Sequence, residues 1–195
     1  MHGINSNSDF VNSNVTFHYD EGEVYKITSD LFEEEIMMGW ESSIMEDHSN
    51  IVCHNQGDIL EIGFGMGISA DFIQSLNPSS HTIIEIHPQI YSKLEEWADG
   101  KSNVTIINDD WWNVKDSLGN FDGIFYDTIW DLKFEWFMRN FPQSHMKSGG
   151  KFSYFNIFGN NDKYNLGATF SLSSITPDSN NYFNESSYYV PTVQF

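Results

Sequence analysis

A glycine-rich turn, set between an apolar run and a helical pattern, has the residue types that indicate chemistry most directly. The run Ile59–Ile62 leads into Gly63-Phe-Gly-Met-Gly67, and helical spacing follows from Ile68 to Leu76. Glycines at such a turn permit positive φ and let a ligand approach backbone N–H groups. The next strand-like run ends in Glu85, about twenty residues on, where a carboxylate can accept ribose hydroxyls. The pattern therefore predicts a βαβ unit that binds a nucleoside.

Further polar residues stand where the other predicted strands end. The turn Asp109-Asp-Trp111 follows the third strand and would flank an adenine ring. S-adenosylmethionine suits this arrangement, with the glycine turn near its methionine end and Glu85 on its ribose. A dinucleotide is the rival, but Ile68 stands where the dinucleotide pattern needs a small residue for close helix–strand packing. The sequence therefore favours a cofactor without a pyrophosphate.

Two acids, Asp127 and Glu41, have open roles on residue type alone. Asp127 leaves the buried-strand pattern Phe121–Tyr126, where an unpaired carboxylate is costly, so it needs a cationic partner or several donors. Its alternative role is to cap a helix that begins near Trp130. Glu41 follows Trp40 on a predicted helix, where a glutamate is ordinarily solvated.

Strand and helix patterns alternate along most of the chain. Strands are predicted at Ile59–Ile62, Thr82–Ile86, Val104–Asn108, Gly123–Tyr126 and Lys151–Asn156, with helices at Ile68–Leu76, Gln89–Trp97 and Phe134–Met146. Such alternation predicts an α/β fold with a parallel sheet covered by helices. Elsewhere we expect a mobile arm over 1–20, a helix within Ile27–Ile51 that includes Glu33 in its first turn, a turn at Lys147–Gly150 and a terminal strand at Ser187–Phe195.

Composition limits the partners of this chain of 195 residues. Its net charge of −19 leaves no basic surface for nucleic acid or an anionic membrane. A cationic substrate would be attracted, but the same charge is equally typical of a solubility or salt-adapted surface. The single cysteine, Cys53, and histidines without ligand spacing predict neither a disulfide nor a metal site. With no long apolar run and no secretion signal, we expect a cytoplasmic protein, monomeric or homodimeric.

Several stretches together resemble the guanidinoacetate N-methyltransferases and, less closely, the arginine δ-N-methyltransferases. They are Met38-Gly-Trp-Glu-Ser-Ser-Ile-Met45, Leu60-Glu-Ile-Gly-Phe-Gly-Met66, Ile83-Ile-Glu85, Trp111 with Asn113-Val114, Phe121-Asp-Gly-Ile-Phe-Tyr-Asp-Thr128, Gly149-Gly-Lys-Phe-Ser-Tyr154 with Asn156, and Tyr188-Tyr-Val-Pro191. The chain departs from the family at Asp109-Asp110 and at Ile129-Trp-Asp131.

The resemblance implies a Rossmann-like class I methyltransferase that uses S-adenosylmethionine, with a mostly parallel sheet and helices on both faces. Residues 1–36 would form a lid, and residues 37–195 a single methyltransferase domain. The cofactor would be bound by Glu61, Gly63, Phe64, Gly65, Met66, Gly67, Ile68, Glu85, Ile86, Asp110, Trp111 and Asp127. The substrate would be bound by Trp40, Glu41, Asp127, Thr128 and Ile129.

The implied reaction is methylation of a small guanidino compound such as guanidinoacetate. Asp127 would accept a proton from the guanidinium, and Glu41 would hold its opposite edge. Two alternatives stay open: an N-methyltransferase of arginine or another small amine, and a non-catalytic methyltransferase-like binding subunit.

Overall fold

The computed structural model describes residues 7–31, 34–129 and 131–195. Its helices are α1 (Asn7–Val11), α2 (Ser42–Val52), α3 (Ile68–Ser75), α4 (Pro88–Ala98), α5 (Trp111–Val114) and α6 (Phe134–His145), with 3₁₀ turns at Gly39–Glu41 and Lys115–Ser117. Its strands are β1 (Val15–Asp20), β2 (Glu23–Ser29), β3 (Glu34–Met38), β4 (Asp58–Ile62), β5 (Ser80–Ile84), β6 (Val104–Ile107), β7 (Phe121–Tyr126), β8 (Met146–Tyr154), β9 (Thr169–Ser174) and β10 (Ser187–Gln194). The start of the predicted arm, Glu33 and Trp130 lie outside the described residues.

Seven strands form the main sheet, in the order β6-β5-β4-β7-β8-β10-β9. The strands from β6 to β8 are parallel, whereas β10 is antiparallel to β8 and β9. The strand order changes direction at β4, which lies between β5 and β7, and ligands bind at such switch points in open α/β sheets. The predicted Rossmann-like α/β class is confirmed.

The alternation of side chains along β4 divides the core between the two faces of the sheet. Leu60 and Ile62 belong to a cluster that contains Phe137 of α6, whereas Ile59 belongs to a cluster with Ile44 of α2. A fully buried side chain of this size contributes roughly 1.5–3 kcal/mol to folding. Both faces of β4 are therefore covered by packing, so a ligand can reach this strand only at its ends.

The N-terminal segment forms an antiparallel sheet of three strands, β1-β2-β3. Ile27 of β2 is fully buried, and it shares a cluster with Phe64 and Ile90 of the main fold. The prediction of a mobile arm is therefore wrong for residues 7–20, which form α1 and β1. The Asn/Ser-rich composition of this segment did not predict α1 and β1, because contacts with distant residues stabilise them.

The prediction of a helix within Ile27–Ile51 is wrong for its first half. Residues of β3 pair with β2, as in Lys26 with Met38, and helix α2 begins only at Ser42. This pairing satisfies the backbone hydrogen bonds of β3 in an extended conformation. The helix-like spacing of its apolar residues therefore does not determine its secondary structure.

Two further differences lie in the second half of the chain. The predicted turn at Lys147–Gly150 is the first part of β8, which starts directly after α6. Strand β9 was not predicted, and it pairs along β10 from Thr169 to Ser174.

Over the described ranges, no helix is both long and apolar enough to span a membrane. The predicted cytoplasmic location stays a prediction.

Candidate active site

A cavity of about 580 Å³ opens at the carboxyl ends of β4, β5 and β7. Its size falls within the range of about 300–1,000 Å³ that is usual for small-ligand sites. Eleven of the predicted site residues line it: Glu41, Gly63, Phe64, Gly65, Glu85, Ile86, Asp110, Trp111, Asp127, Thr128 and Ile129. The structure therefore gathers most of the predicted set around one space.

The glycine turn leaves room that any larger residue would fill. Gly63 has φ +90°, and a Cβ there would lie 1.9 Å from the backbone oxygen of Asp127. Gly65 has φ +55°, and a Cβ there would lie 2.6 Å from the sulfur of Met37. Both positions require glycine, so the backbone of the turn can form one wall of a ligand site.

Glu85 faces the cavity from the end of β5 and is 4% exposed. Its carboxylate accepts hydrogen bonds from the N–H groups of Phe64 (3.0 Å) and His87 (2.7 Å). Burial raises the pKa of Glu85, and these N–H donors oppose the rise. A carboxylate has about four lone-pair sites, so acceptor capacity remains for ribose hydroxyls. The glycine turn and this acid fit S-adenosylmethionine.

Asp110 and Trp111 form the wall that was predicted to meet adenine. Asp110 caps α5 by accepting from the N–H of Trp112 (2.9 Å), and it also accepts from the side-chain amide of Asn7 (2.8 Å). The indole N–H of Trp111 donates to Asp131 (2.6 Å), and only 4% of Trp111 is exposed. These contacts fix both residues before any ligand binds.

Glu41 comes to the cavity from the 3₁₀ turn before α2 and is 3% exposed. One carboxylate oxygen accepts from the Met38 N–H (2.7 Å) and the Tyr182 hydroxyl (2.6 Å). Burial raises the pKa of Glu41 to about 7, although both hydrogen bonds act to lower it. Glu41 is therefore not a solvated helix glutamate, which was the ordinary alternative for this residue type.

Asp127 directly follows β7 and lines the same cavity as Glu41. Burial raises its pKa well above the usual value, and the nearby charges of Glu41 and Glu61 raise it further. Neither Glu41 nor Asp127 forms an ion pair within the described ranges. Because the charge of Glu41 disfavours the charge of Asp127, this part of the cavity is suited to a cation.

Five predicted site residues do not line the cavity: Trp40, Glu61, Met66, Gly67 and Ile68. Glu61 is fully buried, and it binds Ser69 and His81 instead of a ligand. Trp40 stacks on Tyr182 and Phe183, with ring centroids at 5.9 and 6.0 Å.

The other three residues, Met66, Gly67 and Ile68, pack around the start of α3. The N–H of Met66 donates to the sulfur of Met37 (3.3 Å). Gly67 is the N-cap of α3, and the Phe64 ring fills the space where its Cβ would lie. Ile68 packs against the cluster that contains Ile73.

Sequence reasoning missed several residues that line the cavity. Tyr182 lies in the Asn-rich stretch before β10, where no periodic pattern marks it, and Lys163 lies in an irregular loop. Glu35 and Met37 enter from β3, which was predicted to be helical. A signal existed only for Asp131, because it falls in a stretch where the sequence departs from the family.

The described part of the N-terminal segment covers the cavity rather than standing apart. Asn7 and Phe10 of α1 line it, and Asn7 is bonded to Asp110. A ring nitrogen of His87 lies 3.2 Å from the backbone oxygen of Ser13, and the Val15 N–H donates to Gln89 (2.8 Å). These contacts hold the segment on the loop after β5.

Solved structures share this fold at low sequence identity. Spermidine synthase from Thermotoga maritima matches with TM-score 0.64 and 13% identity over 93% of this chain and 69% of its own. The N-methyltransferase NodS from Bradyrhizobium japonicum WM9 matches with TM-score 0.61 and 10% identity over 80% and 96%.

Curated relatives are more similar in sequence. Protein arginine N-methyltransferase 2 of Aspergillus oryzae is 32% identical over 79% of this chain and 38% of the relative. Its namesake in Saccharomyces cerevisiae is 33% identical over 82% and 47%. The chain thus spans less than half the length of these relatives.

The family model described as guanidinoacetate N-methyltransferase matches residues 3–166. Its match covers the glycine turn, Glu85, Glu41 and Asp127 together. With the fold, it confirms both the predicted resemblance and S-adenosylmethionine as the cofactor. The chain belongs to the guanidinoacetate N-methyltransferase family.

Proposed function

We propose that this protein methylates a nitrogen of a guanidine group. The observation that carries the proposal is that two acids, the buried Glu41 and the half-buried Asp127, line the same cavity beside the glycine turn. A guanidinium is planar and cationic, and it presents N–H donors to carboxylates on more than one edge. It would also relieve the repulsion from Glu41 and Glu61, which adds to the burial that chiefly raises the pKa of Asp127.

The cofactor side would be held by the backbone of Gly63 and Gly65 and by the carboxylate of Glu85. Bound S-adenosylmethionine supplies a methyl group already activated on a sulfonium. The remaining task of the protein is to present an uncharged nitrogen in line with that methyl.

Removal of a proton is the chemical step that this chain must supply. A guanidinium has a pKa above about 12 and no free lone pair on nitrogen. An Oδ atom of Asp127 takes one N–H proton, and the electron pair of that bond stays on the nitrogen. The raised pKa of Asp127 makes it a stronger base than an ordinary aspartate. Glu41 stays ionised on the other edge and holds the guanidine plane, supported by Tyr182.

The far end of the acceptor faces Lys163. Among the cavity-lining residues that the structure describes, Lys163 alone has a positive side chain, and its ammonium lies 3.9 Å from the centre of the Phe158 ring. It supports an acceptor with a carboxylate, which guanidinoacetate and arginine both have. The family description names guanidinoacetate, whereas the names of the relatives specify arginine in a protein, which has no free carboxylate within the chain.

We also propose that the N-terminal segment, predicted as residues 1–36, acts as a lid on a single domain of residues 37–195. The bonds from Asn7 to Asp110 and from Val15 to Gln89 support the closed position. Strand β3 crosses the proposed boundary, so Met37 would move with the lid.

Mass spectrometry of the wild-type protein with S-adenosylmethionine and a guanidine panel tests the proposal. The panel is guanidinoacetate, arginine, agmatine and an arginine-containing peptide, and we expect one methyl gained on at least one guanidine nitrogen. The Asp116→Asn variant, which changes an exposed acid, is the control and should keep this activity.

Calorimetry with S-adenosylhomocysteine separates the alternatives. Cofactor binding without a methylated product across the panel would favour the non-catalytic binding subunit. A methylated amine without any methylated guanidine would favour a different acceptor class. Each result would overturn the guanidine assignment.

A further inference from the structure

Glu35 brings a third carboxylate to the cavity, and the proposed mechanism does not use it. It lies on β3 and lines the cavity beside Ile36 and Met37. Its Oε2 atom is buried and has no hydrogen-bond partner in the part of the chain that the structure describes. An unpartnered carboxylate oxygen is costly to bury, and nearly all such atoms in folded proteins are bonded. A ligand that donates to Oε2 would remove this cost.

The surroundings of Glu35 define which ligand group fits. Burial raises the pKa of the Tyr182 hydroxyl, and the charges of Glu41, Asp127 and Glu35 raise it further. Glu35 lines the same cavity as the two proposed guanidine-binding acids and lies close enough to act on the same hydroxyl. No ion pair with Glu35 is formed over the described ranges. A second anion beside a paired set of anions requires a second cationic donor.

We infer that Glu35 binds a primary ammonium group of a ligand, next to the guanidinium held by Glu41 and Asp127. This inference rests on the proposed function. An ammonium has three donors and no acceptor, so it can satisfy the buried oxygen and its charge together. Two sources supply this chemistry: the α-amino group of an acceptor such as arginine, or the amino group of the methionine portion of the cofactor. Guanidinoacetate has no amino group and leaves Glu35 unpaired.

The position of Glu35 makes it a specificity residue under the first source. An acceptor with both a guanidinium and an ammonium would bind Glu35, Glu41 and Asp127, whereas guanidinoacetate would bind only the last two. The acceptor would then be an amino acid with a guanidine side chain. Under the second source, Glu35 determines cofactor affinity and is indifferent to the acceptor.

Calorimetry on Glu35→Gln with four ligands tests the inference. Arginine is compared with 5-guanidinopentanoate, which has the same guanidine and carboxylate but no amino group. S-adenosylhomocysteine is compared with 5′-methylthioadenosine, which lacks the amino-acid portion. The acceptor source predicts a loss of at least about tenfold in affinity for arginine alone, and the cofactor source the same loss for S-adenosylhomocysteine alone.

Two controls keep the result interpretable. Glu23→Gln removes the same charge from an exposed position of the N-terminal sheet and should bind all four ligands as the wild type does. Glu35→Asp shortens the side chain and keeps its charge, and it serves if the glutamine variant does not fold. We expect it to weaken the same ligand, because the shorter carboxylate sits further back.

The inference is overturned if Glu35→Gln binds all four ligands within twofold of the wild type. It is also overturned if both members of a pair weaken equally, because the amino group is then not the contact. Failure of the proposed function is distinct: the wild type itself would methylate no guanidine of the panel and would bind none of guanidinoacetate, arginine and 5-guanidinopentanoate.

Discussion

The two halves of the cavity are built in different ways. The half proposed to bind the cofactor, called the cofactor half, comes from consecutive pieces of chain: β4, the glycine turn and the end of β5. Its Glu85 is held by backbone N–H groups of Phe64 and His87. The half proposed to bind the acceptor, called the acceptor half, joins Glu41, Asp127 and Tyr182, which come from three distant parts of the chain. In the first half the backbone sets the geometry, and in the second half packing between distant segments sets it.

The two halves also differ in which groups stabilise their carboxylates. Glu85 is stabilised by backbone donors that are always present. Glu41 and Asp127 have no ion-pair partner in the described ranges, and burial raises the pKa of both, with the charge of Glu41 adding to the rise at Asp127. On the proposed function, the cofactor half would need no ligand to set its charges, whereas the acceptor half would need a cation. Substitutions in the two halves should therefore separate in their effects.

The largest expected effect comes from Asp127→Asn. Asparagine keeps the size of the side chain but cannot take the guanidinium proton, so turnover should fall by about 10² or more. Cofactor affinity should stay near the wild-type value, because the glycine turn and Glu85 are unchanged. Single-turnover methylation and calorimetry with S-adenosylhomocysteine measure the two quantities. Wild-type turnover in this variant would remove Asp127 as the base.

The next effect concerns the pH dependence of stability through Glu41. Its pKa in the folded, ligand-free protein is about 7, raised from 4.5 mainly by burial. The folded state therefore holds the proton more tightly, and the stability from this group is present below about 4.5 and lost as pH rises through about 7. The rise corresponds to about 3 kcal/mol.

Urea unfolding of the ligand-free wild type and Glu41→Gln should reveal this difference. Between pH 5 and pH 8, the free energy of unfolding of the variant should increase relative to that of the wild type by up to about 3 kcal/mol. Glu46→Gln, an exposed change on α2, should track the wild type at every pH. A constant gap between Glu41→Gln and the wild type would show that Glu41 is not buried as described.

The contrast between the halves also explains which parts the sequence could predict. The glycine turn, Glu85 and the strand before Asp127 are local patterns, and each was found where predicted. The role of Glu41 came only through the family resemblance, since its burial depends on Met38 and Tyr182. Strand β3 was predicted as helix because pairing with β2, not local spacing, decides its conformation.

A smaller effect is expected in the cofactor half for Glu85→Gln. The amide loses the charged acceptor for ribose hydroxyls, and affinity for S-adenosylhomocysteine should fall roughly ten- to a hundredfold. Guanidine binding should change little, because the acid pair is intact. An analogue without ribose hydroxyls should bind the variant and the wild type alike. If the analogue also weakens, Glu85 only supports the turn.

The smallest effect is expected for Tyr182→Phe, which removes one hydrogen bond from Glu41 and leaves the stacked ring on Trp40 in place. Acceptor affinity should fall by about three- to tenfold, the usual range for one such bond. The hydroxyl lowers the pKa of Glu41, so its loss should also move the pH midpoint of acceptor binding upward. Calorimetry from pH 6 to pH 9 measures both, with Tyr189→Phe as the control outside the cavity. A weaker affinity with an unmoved midpoint would mean that Tyr182 contacts the acceptor directly and does not act through Glu41.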